Sequence, residues 1–179
     1  MAKQKYGYAE SSALMATNWG AHMYSVVDED NILENGMLVE KTDLVDAKDI
    51  EIYGVKNPEA GSEVVLILTP ALIYDQSTTE GQAEYYFYIE PGVTARAYAL
   101  VKDDRFAIAD YMVTTLAGKG KPAVVGNYLV ANSDRKYKEV AAEAFNGSTY
   151  GFVAKLEAID YKSNLTLYRI RVIKNTAVA

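Results

Sequence analysis

The chain has 179 residues, enough for one domain that buries a sizeable core without covalent staples. It holds no cysteine and a single histidine, His22, which excludes disulfides, thiolate metal sites, a cysteine nucleophile and most zinc chemistry. Lys and Arg total 18 against 24 Asp and Glu, a formal charge of −6, so the concentrated basic surface that coats nucleic acid is not expected.

Residues 1–8 carry two lysines but no apolar stretch, so no secretion signal is expected there. Residues 1–30 then place Tyr6, Tyr8, Trp19, His22 and Tyr24 among Gly, Ser, Ala and Asn, with no sustained period. Such a stretch reads either as a frayed terminus or as an extended arm that orders against another surface. Its aromatic content favours the arm, because disordered segments are poor in rings. The expected division is therefore an arm over 1–30 and a β domain over 31–179.

Asp28, Glu29 and Asp30, with Glu34 behind them, lack the spacing of a calcium loop and read as a solvated acidic linker. Asn35-Gly36 between Ile32-Leu33 and Met37-Leu38-Val39 is a strong short-range turn signal. Residues 49–55 read as a strand, and so do residues 63–69, E-V-V-L-I-L-T, whose β-branching suits burial on both faces. That apolar run is far short of the roughly 20 residues that span a bilayer.

Residues 83–90, A-E-Y-Y-F-Y-I-E, read as a strand with Tyr85, Phe87 and Ile89 on one face and Tyr86 and Tyr88 on the other. Residues 95–101 and 105–109, around Lys102-Asp103-Asp104, read as a hairpin. Strands are also expected over 123–130, 150–158 and 165–173. Residues 133–145 are ambiguous. Ser133 as N-cap, the Ala-rich stretch and Asn146-Gly147 as a stop favour a helix, while the rival is a strand from Tyr137 followed by a loop. The expected fold class is all-β, a sandwich or barrel of about seven to nine strands with at most one short helix.

Catalytic patterns are weak. A Ser-His-Asp arrangement would need His22, which lies in the least patterned part of the chain. Ser133-Asp134-Arg135-Lys136 fits S-x-x-K without its companion motifs, and Pro122 removes an amide where the Gly118-Lys119-Gly120-Lys121 loop would have to cradle phosphate. No enzyme, cofactor or metal is expected. The 15 tyrosines, against 4 Phe and 1 Trp, are the remaining constellation. Tyrosine suits positions where one end of a ring is buried and the other meets polar groups, as in a core floor, an assembly interface or a sugar platform.

The order of features resembles small structural proteins from the head-gene region of tailed bacteriophages, taken as head decoration (capsid auxiliary) proteins. The stretches that carry the resemblance are Asn35-Gly36-Met37-Leu38-Val39, E-V-V-L-I-L-T-P from Glu63 and P-G-V-T-A-R-A-Y-A-L from Pro91. Val124-Val125-Gly126-Asn127-Tyr128, Phe152-Val153-Ala154-Lys155 and the last strand complete it. The resemblance implies an all-β body with an N-terminal arm, docked on the capsid exterior of a virion and made in the host bacterial cytoplasm. It implies no catalytic residues and favours strand and loop over helix for residues 133–145. The expected partners are the major capsid protein and further copies of this chain, such as a trimer, with neither nucleic acid nor membrane. The residues expected to make contact are Tyr6, Tyr8, Trp19, His22, Tyr24, Tyr86 and Tyr88. The other readings are a carbohydrate-binding β module and another phage part such as a tail-tube or adaptor subunit.

Overall fold

The computed structural model describes residues 4–18, 22–45, 51–71, 77, 83–118, 120–162 and 164–178. The expected contact Trp19 lies outside these residues, as does the start of the strand expected over 49–55. The protein is all-β. The strands are β1 (Ala9–Ala13), β2 (Met23–Val27), β3 (Leu38–Leu44), β4 (Ile52–Lys56), β5 (Val65–Ile67) and β6 (Ala95–Ala99). They continue as β7 (Arg105–Ala109), β8 (Val113–Thr114), β9 (Tyr128–Ala131), β10 (Tyr137–Val140), β11 (Phe152–Lys162) and β12 (Leu165–Asn175). The twelve strands among the described residues exceed the expected number because several are too short to show a period in sequence.

The strands divide between a seven-stranded sheet, in the order β1-β7-β12-β11-β9-β10-β8, and a closed five-stranded barrel, β2-β4-β3-β5-β6. The pairs β2–β4 and β8–β10 are parallel, and every other pair is antiparallel. The segment expected as an arm is extended and paired: β1 is an edge of the large sheet, and β2 closes the barrel. Tyr8, Leu14, Ala16 and Val26 from that segment are buried in the common core.

Residues 95–109 do not form a hairpin. β6 pairs β2 and β5 in the barrel, whereas β7 pairs β1 and β12 in the sheet. The charged turn between them is a crossover. Asp103 takes a left-handed φ of 73°, and the backbone pairs with β12 through Asp103 N–H to Val172 O and Val172 N–H to Asp104 O. The buried Asp104 carboxylate accepts from Met15 N–H at 2.8 Å and Val101 N–H at 2.9 Å, fixing the change of direction.

Residues 83–90 are not a strand either. Glu84–Tyr86 is a single 3₁₀ turn, and only Ile89 makes a β-bridge, to Leu33. The amides of Tyr86 and Phe87 bond back to Ala83 O and Glu84 O, so local turn bonds replace a ladder despite strong β propensity.

The helix favoured over 133–145 is absent. Residues 132–136 turn β9 into β10, with Arg135 at φ 65°, and the only helical turn is the three-residue Ala142–Ala144. Tertiary packing overrides propensity here. Tyr137 is fully buried between Phe106 and Phe152, and its hydroxyl donates to Gly36 O at 2.9 Å. Asn35-Gly36 is a turn as expected, with Gly36 at φ 89°, although Leu33 before it bridges Ile89 rather than β3.

One core joins sheet and barrel. Its fully buried side chains include Tyr137, Phe106 and Phe152 from the sheet and Leu38, Leu66 and Ile67 from the barrel. Val65, Leu66 and Ile67 are all buried, as a strand covered on both faces requires. The linker expected to be solvated also contributes: Asp28 is buried and ion-paired with Arg135.

Candidate functional site

The structure gathers tyrosines where residues 5–10 cross the 83–89 segment. Tyr6 N–H donates to Tyr85 O at 2.8 Å, so the N-terminal strand runs directly onto the 3₁₀ turn. The Tyr6 ring lies against that of Tyr88 with centroids 4.6 Å apart, and Tyr85 meets Tyr86 edge-on at 4.6 Å. Lys5 places its ammonium 5.1 Å from the Tyr85 ring centre. Tyr111 donates its hydroxyl to Tyr6 O at 2.8 Å, tying the cluster to the turn after β7.

Tyr8 is buried and donates to Glu10 Oε1, which also pairs with Lys162 at the β11–β12 hairpin end. A recess of about 250 Å³ opens beside it, walled by Tyr8, Glu84, Tyr85, Lys162, Asn164 and Leu165. Four of the expected contact residues, Tyr6, Tyr8, Tyr86 and Tyr88, thus come together, three of them half-buried and Tyr8 buried.

Burial and charge favour the neutral phenol at Tyr8 and Tyr111. Burial pushes the Tyr8 hydroxyl well above its ordinary range, helped by the hydrogen bond to the Glu10 carboxylate, and burial does the same to Tyr111. At Glu10, burial opposes the charge, but hydrogen bonds from Lys162 and Tyr8 outweigh it and hold the carboxyl below its usual range. The arrangement is an aromatic cluster with the Glu10–Lys162 ion pair at its border. Among the described residues no three of His, Asp and Glu converge as metal ligands.

The anchor beneath the cluster was not visible in the sequence. Glu34, in the buried turn before Gly36, accepts from Gly7 N–H at 2.6 Å. A side chain at Gly7 would place Cβ 2.5 Å from Asn35 O and 2.9 Å from Met112 Cε. Gly7→Ala is therefore expected to destabilise the protein by about 1–3 kcal/mol through forced displacement of backbone, and to shift residues 4–8 off the 83–89 segment. Thermal unfolding, with the Tyr6 and Tyr88 ring resonances as local reporters, checks both effects.

Two other expected contacts lie elsewhere. His22 and Tyr24 stand at and within β2, in the barrel. Tyr24 meets Tyr53 of β4 edge-on with centroids 5.8 Å apart, and the Lys41 ammonium lies 3.9 Å from the Tyr53 ring centre and 5.0 Å from that of Tyr24. No spacing in the sequence announces this group, because β2 and β4 pair in parallel across a long connection.

No protein-family model matches the chain, and neither a curated protein nor a solved structure matches it.

Proposed function

We propose that this chain is a non-enzymatic structural protein that docks on the outer shell of a phage capsid and stabilises it. The observation that carries the reading is the half-buried tyrosine cluster of Tyr6, Tyr85, Tyr86 and Tyr88, which two segments distant in sequence bring together. The resemblance of residues 35–174 to head decoration proteins supplies the partner, the major capsid protein, and the location on the virion exterior. Tyrosine is enriched at interface centres because it contributes large area at low conformational cost and keeps a polar end for the wet rim. Repetition over a lattice then multiplies modest single-site affinities. A charge of −6 favours solubility of the free protein before it docks.

Removing residues 1–25 would strip β1 from the sheet and most of β2 from the barrel, so the test must be made at side chains. The double variant Tyr6→Ser, Tyr88→Ser is expected to reduce co-sedimentation with capsids assembled without this protein by roughly tenfold or more, as loss of an interface centre does. Leu116→Ser is the control. It is 57% exposed and lies just beyond β8, at the opposite edge of the large sheet from β1. Attachment by the double variant at the level of the control, with both proteins folded, sinks the reading.

A further inference from the structure

The barrel carries a cavity of about 560 Å³, within the range of roughly 300–1,000 Å³ usual for small-ligand sites. Tyr24 of β2, Glu40 and Lys41 of β3 and Lys56 of β4 form one wall. The turn at 59–63 and the chain end at 177–178 form the other. These walls are fixed to each other. Asn175 bonds both Val64 N–H and Val64 O, and Val178 N–H donates to Gly61 O at 2.8 Å. Ser62 accepts from Glu59 N–H at 3.0 Å and donates to Glu40, while Lys56 pairs with Glu40 at 2.9 Å.

The lining defines the chemistry of an occupant. An apolar molecule would strip water from two ammonium groups and three carboxylates, Glu40, Glu59 and Glu63, without replacing their hydrogen bonds. An anion would face those carboxylates. A cation would face Lys56, and at the tyrosine rings it would meet Lys41, which already lies over both. A neutral molecule rich in hydroxyls meets neither penalty: carboxylates accept from its hydroxyls and ammonium groups donate to them, while Tyr24 adds an aromatic side chain to the lining. A pre-organised wall lowers the ordering cost of such binding.

We propose that this cavity is a binding site for a neutral saccharide, with Lys41, Lys56, Glu40 and Ser62 as hydroxyl partners and Tyr24 beside them in the lining. Binding makes and breaks no covalent bond. The site is separate from the tyrosine face that serves docking: Tyr24 lies in the barrel, while Tyr6 precedes the edge strand of the large sheet. Failure of either reading leaves the other standing.

The test is a backbone amide NMR titration of the whole protein with maltose, cellobiose and N,N′-diacetylchitobiose. Choline chloride and sodium acetate serve as charged comparisons. At least one disaccharide is expected to saturate at millimolar concentration, with shifts confined to residues around Tyr24, Lys41, Lys56 and Ser62. Tyr24→Ala is expected to weaken that binding about tenfold, the scale of one lost ring contact. Should Tyr24→Ala disturb the barrel, Lys41→Met and Ser62→Ala carry the same expectation from the polar side. The proposal is overturned if none of the sugars shifts these residues, if choline or acetate binds there as tightly, or if the folded variants bind unchanged.

Discussion

An Arg135→Ala variant is expected to lose about 3–5 kcal/mol of stability, the usual cost of removing one partner from a buried ion pair. Arg135 Nη2 lies 2.5 Å from Asp28 Oδ2, with the two side chains 8% and 6% exposed. The same guanidinium donates from Nε to Asn57 Oδ1 at 2.6 Å, and the Arg135 carbonyl accepts from Leu38 N–H at 2.9 Å. One residue in the β9–β10 turn of the sheet therefore holds Asp28, Asn57 and β3 on the barrel side. Alanine would leave the Asp28 carboxylate buried with only its Oδ1 satisfied, by the amides of Asp30 and Asn31 and the Asn31 side chain. Arg135 sits at φ 65°, so an Arg135→Gly variant removes the charge and relieves the backbone together. Glycine is expected to be the milder of the two, and chemical denaturation of both variants measures the difference.

The same pair gives a pH dependence whose sign follows from Asp28. Burial works against its charge, but hydrogen bonds from Asp30 N–H, Arg135 and Asn31 N–H outweigh burial and lower the carboxyl below its ordinary value. A carboxyl depressed on folding contributes stability above its unfolded pKa of about 3.9, and that contribution is lost as pH falls through the folded value. Unfolding free energy of the parent protein is thus expected to fall below about pH 4, and Arg135→Ala to flatten that acid limb. An equal acid slope in the two proteins would remove Arg135 from the account.

What the sequence made legible was decided by how locally each feature is specified. β12 alternates over its middle because one face meets the core and the other meets solvent, as exposed Arg169 between buried Tyr168 and Ile170 illustrates. The Asn35-Gly36 turn was legible because its geometry needs a left-handed residue. The crossover at Asp103-Asp104 was not, because an acidic turn looks the same whether the next strand pairs back or leaves for another sheet. The Ala-rich stretch after Ser133 carries a helical bias, but Tyr137 and Glu139 are both buried, and only the tertiary core explains why. Glu139 takes three hydrogen bonds, from the amides of Leu116 and Val124 and from the Asn127 side chain, and so fixes a loop that no local pattern connects to it.

The candidate face was legible as composition and partly as position. Alternation over residues 83–90 puts Tyr86 and Tyr88 on one face of an expected strand. Local turn bonds and Tyr6 bring them to the surface instead, and Tyr8 is drawn inward to the Glu10–Lys162 pair. Tyr24 separates from the rest because β2 belongs to the barrel. Such a division needs the topology of two sheets, which a single sequence does not encode at short range. An aromatic count thus resolves into two surfaces with different neighbours, one tyrosine-rich and one of mixed charge.

Gly151→Ala is expected to cost roughly 3 kcal/mol, at the upper end of the range for forcing atoms into filled space. A Cβ at this buried position would lie 2.2 Å from Ser62 O, 2.4 Å from Gly61 O and 2.6 Å from Gly61 C. All three are backbone atoms, so no side chain can swing aside. Gly151 N–H donates to Ala60 O at 2.8 Å, and its carbonyl accepts from Thr176 N–H at 3.0 Å. The entry to β11, the turn at 59–62 and the chain end are thereby laced together where the sheet meets the barrel. Alanine must part them, losing packing and leaving these backbone groups short of partners. For a chain of this size, 3 kcal/mol corresponds to a fall in Tm of roughly 6–12 °C, which calorimetry reads directly. Gly61→Ala supplies the comparison, since a Cβ there would meet Val178 at an ordinary 3.5 Å. It is expected to leave Tm nearly unchanged. The same displacement carries Ser62 away from Glu40, so Gly151→Ala should also disturb the barrel cavity, whereas a variant with parental Tm and cavity resonances would contradict the close approach.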